Sequence, residues 1–309
     1  MIDTLYILSA GRSGSTLLNL VLGSHPRAVA VSELTQLPYD VIRRNPCTCS
    51  APIGECPFWL AVARHVRAEL GIDLWRTPEA LNLGCMVDPR RRNEPPVTNR
   101  YAWAWKLRHG LVYLDELGFP LPRALRGEFD HGIANTIRLH DVIRRVSGRD
   151  VVVDASKSYL KGVALYRARP GQTRLILLSR NGRASFYSRL RDGYGRNQSL
   201  RAWRNYYRHA LPLLNRRVPP EDVIRVKYED LAADPAREIE RICAFAGLPH
   251  VPGMLDFTAA EHHVTSGNDM RMQSGMRIRP DTAWQKGLAP ADERYFELWA
   301  GATNRRLGY

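Results

Sequence analysis

Short, mostly apolar runs, each followed at once by a polar cluster, recur along this sequence. Leu5-Tyr-Ile-Leu8 leads into Ser-Ala-Gly-Arg-Ser-Gly-Ser-Thr16, Val151-Val-Val153 into Asp154-Ala-Ser-Lys157, Leu175-Ile-Leu-Leu178 into Ser179-Arg-Asn-Gly182, and Val223-Ile-Arg-Val226 into Lys227-Tyr-Glu-Asp230. Runs this short fit strands buried on both faces of a parallel sheet. A helical spacing follows the first, with Leu17, Leu18, Leu20, Val21 and Leu22 before Gly23, and Ala28–Val31 makes a shorter strand ahead of Glu33. From about residue 57 to 148 the pattern reads as helices broken by Pro and Gly. The expected fold is α/β, a central parallel sheet flanked by helices with a helical insertion, and residues 1–309 read as one domain. Ligands of open parallel sheets bind beyond the carboxyl ends of the strands, so the polar clusters should converge on one crevice.

Composition changes this picture little. Hydrophobic residues make up 44% and charged residues 25%, as in ordinary globular chains. No apolar run nears the roughly 20 residues of a membrane span. Asp3 stands where a signal peptide would be positive, so a cytoplasmic protein without stable membrane insertion is expected. The net charge of +14 is mostly arginine spread along the chain, with one dense run, Arg90-Arg-Arg92, in a Pro-rich stretch. No nucleic-acid module accompanies it. A polyanionic cofactor explains the charge more economically than nucleic acid does.

Cys47, Cys49 and Cys56 cluster, whereas Cys85 and Cys243 stand alone. A structural zinc needs four ligands, and only the fold can bring Cys85 or His65 to complete a set. Zinc and a local disulfide stay open, but reduced thiols and no bound metal are the expectation for a cytoplasmic chain.

The chemistry begins at Gly11-Arg-Ser-Gly-Ser-Thr16, between the first strand and the first helix. Glycines there let backbone N–H groups turn inward, the helix N-terminus adds partial positive charge, and Arg12 adds a full one. Ser13 belongs to the same turn, and Ser15 and Thr16 can cap the helix or bond a phosphate oxygen. The loop is P-loop-like, yet Gly14 is followed by Ser15 and not by the lysine of a nucleoside-triphosphatase loop. That disfavours a kinase-like phosphoryl transferase, which stays as an alternative beside a basic nucleic-acid-binding protein.

With these residues in view, the chain resembles the sulfotransferases that use 3′-phosphoadenosine 5′-phosphosulfate (PAPS). Ala10 to Leu18 is similar to their 5′-phosphosulfate loop. Arg180-Asn-Gly-Arg-Ala-Ser-Phe-Tyr-Ser188 is similar to their 3′-phosphate motif, and Val226-Lys-Tyr-Glu-Asp-Leu231 to a segment that follows it. Gly11 to Leu37, Cys47–Trp59 and His262–Trp284 look like protein-tyrosine sulfotransferases and their bacterial relatives. Two departures stand out. Asn181 occupies a position where relatives often have Asp, and Arg277 and Trp284 are all that survive of a glycine-rich C-terminal pattern.

The resemblance implies a sulfuryl transfer to a hydroxyl-bearing acceptor, with 3′-phosphoadenosine 5′-phosphate (PAP) as product. It implies that Arg180 and Ser188 hold the 3′-phosphate, with Arg277 a further candidate. It also implies that Lys157 is the catalytic cation and Glu33 the general base. Arg12 would share the charge on the leaving group with Lys157. Tyr228 is a candidate for the adenine side. His262 and His263 are rivals to Glu33 as base, and His25 reads as structural. Arg180 is expected in an open crevice, residues 57–148 on the acceptor side, and residues 262–287 as a cofactor-covering loop. The acceptor itself (carbohydrate, small natural product or tyrosine) stays open.

Overall fold

A computed structural model describes residues 1–83, 100–120 and 122–309. The expectations for Cys85 and for the Arg90–Arg92 run lie outside the described residues. Five parallel strands form one sheet: β1 (Thr4–Leu8), β2 (Ala28–Ser32), β3 (Val151–Lys157), β4 (Thr173–Ser179) and β5 (Val223–Lys227), in the order β2-β3-β1-β4-β5. Every strand read from the sequence is present, and the α/β expectation holds.

Both faces of the sheet are covered. Leu5 and Ile7, Val151 and Val153, and Ile176 and Leu178 join one core with α1 (Ser15–Gly23) and α10 (Pro235–Ala246). The alternate positions Tyr6, Leu8, Leu175 and Leu177 join a second core with α6 (Tyr159–Ala168), α8 (Arg196–Arg217) and α12 (Pro290–Arg306). This two-sided burial is why the strands carry no hydrophobic alternation. Gly162 lets α6 lie close on β1, since a Cβ there would stand 2.7 Å from Leu8 Cδ2.

The helical middle contributes α3 (Pro57–Leu70), α4 (Arg100–Glu116) and α5 (Arg123–Ser147). Pro57 starts α3, and Gly71 and Gly148, both at positive φ, end α3 and α5. A third core at the β2 edge joins Val31 and Val152 to α2 (Leu37–Arg43), α3 and α5. Two short helices, α7 (Gly182–Arg191) and α9 (Tyr228–Ala233), follow β4 and β5, and α11 (Ala283–Gly287) packs on α7. Among the described residues no helix is long and apolar enough to cross a membrane.

Candidate functional site

All five strands end at one rim, and a cavity of about 880 Å³ opens there. The loop after β1 supplies Gly11, Arg12, Gly14, Ser15 and Thr16 to its lining. Gly14 caps α1 at φ 88°, where a side chain is strained, and a Cβ there would sit 2.6 Å from the Tyr228 ring. Arg12 also adopts a left-handed φ of 68° and pairs with Asp192 at 2.5 Å. Ser13 is the exception in the loop. Its side chain is fully buried and faces the Tyr207 hydroxyl at 3.4 Å, so only its backbone remains for a ligand.

The neighbouring strands β2 and β3 bring the next pair together. Lys157 Nζ donates to Glu33 Oε1 at 2.5 Å, and both side chains line the cavity about one-fifth exposed. Ser32 and Lys157 both have positive φ, 52° and 70°. Non-glycine residues held there carry strain, which collects at functional sites. The surroundings fix this backbone from several sides. Buried Asn19 accepts from Ser32 N and donates to Val153 O. The Tyr206 hydroxyl donates to Lys157 O, and Asp154 accepts from the backbone and hydroxyl of Ser156. Burial opposes ionisation of Asp154, but His140, Lys161 and Ser156 outweigh it and hold the carboxyl below its ordinary value.

The arginine-rich side of the cavity lies beyond β4 and β5. Arg180 Nη1 donates to Arg12 O at 3.1 Å and Nη2 to Asp281 at 2.7 Å, while its guanidinium lies over the Tyr228 ring at 4.7 Å. Arg180 is only 7% exposed, so the open-crevice expectation fails: the ring and the loop carbonyl enclose it. Ser188 on α7 faces the same cavity. Asn181 acts as the N-cap of α7, accepting from Arg183 N, which gives that departure a structural role. Arg189 also lines the cavity. Burial lowers its pKa, and the charge of Arg12 adds to this. The Nε atoms of Arg180 and Arg189 are buried without a partner.

The segment from 266 to 283 covers the opening. Ser32 Oγ donates to Ser266 O at 2.6 Å, Asn268 N to Thr16 Oγ1 at 3.1 Å, and Tyr228 OH to Arg279 O at 3.2 Å. Arg277 lines the cavity from this segment, whereas Trp284 is half-buried on α11 outside the lining. Asp281 meets Arg180 from here. Burial raises its carboxyl, but the hydrogen bond and charge of Arg180 prevail and hold it below the ordinary value.

Neither rival base reaches the site. His262 bonds Phe257 O at 2.9 Å, burial lowers its pKa, and His263 sits among the cysteines. His25 bonds Pro249 O, a structural role as expected. Sequence reasoning missed Arg189, whose only signal was its place beside Ser188. It also missed Asp281 and Asn19, which carried no local signal. Nor did it find the fourth member of the cysteine cluster. His65 pairs with Glu69 on α3, and it is His263 that joins Cys47, Cys49 and Cys56. These cysteines are free, so no disulfide joins them.

A strand-end cavity lined by a glycine turn and several arginines is suited to an anion on a doubly wound sheet. Comparison with known proteins narrows the class. Residues 121–252, which include Lys157, Arg180, Ser188 and Tyr228, match the model described as "Sulfotransferase family". The sulfotransferase domain of the Synechococcus PCC 7002 olefin synthase shares the fold at a TM-score of 0.54 and 22% identity, over 100% of this chain and 95% of that one. The sulfotransferase domain from the curacin biosynthetic pathway does so at 0.50 and 17%, over 96% and 97%. No curated protein matches the sequence. The resemblance to sulfotransferases drawn from the sequence is borne out by the family match, and the two solved domains bear out the fold.

Proposed function

We propose that the protein transfers the sulfuryl group of PAPS to a hydroxyl acceptor by in-line displacement. The observation that carries this reading is the Lys157–Glu33 pair, which faces the same cavity as the glycine turn and Arg180. The residues suit a nucleotide with an anionic group at each end. In the cavity lining the buried Nε atoms of Arg180 and Arg189 lack partners, and no carboxylate lies within ion-pair distance of Arg189 or Arg277 among the described residues. PAPS supplies an activated sulfuryl group whose leaving group is a phosphate.

Gly11, Gly14, Ser15 and Thr16 would receive the 5′-phosphate on backbone N–H and hydroxyl groups. Arg180 and Ser188 would hold the 3′-phosphate, with Arg189 and Arg277 adding charge and Tyr228 the adenine side. An anion at Arg180 must displace the Asp281 carboxylate. Glu33 would take the proton from the acceptor hydroxyl as its oxygen forms a bond to sulfur. Lys157 and Arg12 would neutralise the bridging oxygen as the S–O bond breaks, leaving PAP. Residues 262–287 serve as the cofactor-covering loop, supported by the contacts of Asn268 and Arg279. The acceptor side falls to residues 57–148. An aromatic chain supports this: Tyr206, which holds Lys157 O, packs on Tyr159, and Tyr159 packs on His109 and Tyr113 of α4.

Calorimetry with PAP, 5′-AMP and ATP tests the reading, followed by labelled PAPS against a panel of acceptors. PAP should bind most tightly, and Arg180→Ala should weaken it by about 1.5–3 kcal/mol, the worth of a charge-assisted hydrogen bond. Equal affinity for PAP and 5′-AMP would overturn the assignment.

A further inference from the structure

Away from the cavity lining, three thiols and an imidazole meet. The ligand atoms of Cys47, Cys49, Cys56 and His263 all lie within 4.8 Å of one another. His263 Nδ1 stands 3.4 Å from Cys56 Sγ and 3.9 Å from Cys47 Sγ. Around a tetrahedral zinc the sulfur–nitrogen and sulfur–sulfur edges are about 3.5 and 3.8 Å, from bonds of about 2.3 Å to sulfur and 2.0 Å to nitrogen. The two sulfur–nitrogen distances, 3.4 and 3.9 Å, bracket the first value, and no pair of ligand atoms is more than 4.8 Å apart. The span leaves room for one ion, and soft thiolate donors with an imidazole select zinc.

The surroundings are those of a built site. Cys47 and Cys56 are fully buried. A tight turn holds the first two cysteines: Ser50 N donates to Cys47 O, Ser50 is left-handed at φ 71°, and Pro46 bridges Pro52. Cys56 is the N-cap of α3, where the helix end favours a thiolate. The far nitrogen of His263, Nε2, faces Glu261 Oε1 at 3.3 Å, the outer carboxylate that orients a metal-bound imidazole. Phe58 stacks on the imidazole at 4.8 Å, and Trp59 Nε1 donates to His263 O at 2.9 Å. A disulfide between Cys49 and either of the other two would leave a buried thiol beside the imidazole.

We propose that Cys47, Cys49, Cys56 and His263 bind one structural zinc ion, and that this Cys3His clasp fastens the start of the covering segment to the body of the protein. The second half rests on the sulfotransferase reading of the cavity; the first does not. Thr48 N donates to Val264 O and Val264 N to Thr48 Oγ1, so the cysteine turn and the segment are already laced together. Thr265 then bonds Asp40, Ser266 meets Ser32, and Asn268 meets Thr16 of the glycine turn. Metal at the clasp would hold this path in register, because binding energy at such a site is folding energy.

The test is metal analysis of the full chain, purified without chelator, by inductively coupled plasma mass spectrometry. About one zinc per chain is expected, and cobalt in its place should give thiolate charge-transfer bands with intense tetrahedral d–d absorption. His263→Ala and Cys56→Ser should lose the metal, His263→Cys should keep it, and Cys243→Ser, remote and packed on Met254, should not matter. Glu261→Gln should weaken zinc binding about 10-fold or more. A folded full chain that takes up no zinc, or Cys56→Ser and His263→Ala both holding a full equivalent, overturns the site. PAP affinity unchanged on zinc removal overturns the clasp alone. A chain that holds zinc but binds no PAP in any state refutes the sulfotransferase reading and leaves the metal site standing.

Discussion

Glu33→Gln separates chemistry from binding. The wild-type carboxylate accepts from Lys157 at 2.5 Å with both side chains about one-fifth exposed. Glutamine has the same reach and keeps an oxygen for Lys157, so the pair's position should persist. Only charge and basicity go. For stability, a partly exposed ion pair is worth about 1 kcal/mol, so Tm should fall by no more than about 2–4 °C. For binding, the PAP anchors Arg180 and Ser188 lie on other elements, and removing a carboxylate from the cavity cannot repel an anion, so affinity should hold or tighten slightly. For turnover, a positioned base contributes about 10²–10⁴, and the loss should reach the upper end with a sugar hydroxyl and the lower end with a phenol, part of which is already ionised. The assay is transfer of labelled sulfuryl groups at saturating PAPS, with PAP calorimetry and thermal melting on the same preparations. Wild-type turnover of a sugar-like acceptor by the variant would refute the assignment. Collapse of PAP affinity together with rate would make Glu33 an organiser of the loop.

Two stability predictions test the frame that carries the site. Glu116, fully buried, meets Arg126 at 2.9 Å, Arg167 at 2.8 Å and Arg217 at 3.6 Å, so Glu116→Ala should cost about 1.5–3 kcal/mol in urea denaturation, the worth of charge-assisted hydrogen bonds, since Arg126 keeps Asp115 and Asp130 and Arg167 is about half exposed; a loss below about 0.5 kcal/mol would show those arginines to be satisfied by water. Asp40 is lifted by burial from 3.8 to about 6 despite hydrogen bonds from Thr265 and Asn45. Its folded pKa lies above its unfolded one, so its contribution is fully present below about pH 4 and lost as pH rises through about 6. Asp40→Asn should therefore gain on the wild type by about 2 kcal/mol between about pH 4.5 and about pH 7.5, and an offset that is the same at both pH values would refute the assignment.

The legible part of this protein was local. Strands announced themselves as apolar runs such as Leu5–Leu8 and Leu175–Leu178, because burial on both faces requires it within a few residues. The Gly11–Thr16 turn and the Arg180–Ser188 spacing were readable for the same reason: each lies within a single strand–helix junction, where backbone geometry alone decides what faces the rim. What the tertiary structure decided is everything that joins distant chain segments. Glu33 and Lys157 are 124 residues apart and meet only because β2 and β3 are neighbours in the sheet, an order no local pattern encodes. Arg180 lies buried and not open because Tyr228 and Asp281 arrive from other elements. His263 stands 207 residues beyond Cys56, too far for any ligand spacing to reveal, and reaches the cysteines only because the covering segment returns across the cysteine turn and α3. A sequence specifies such meetings through the summed packing of the whole core, and no short window of it contains them.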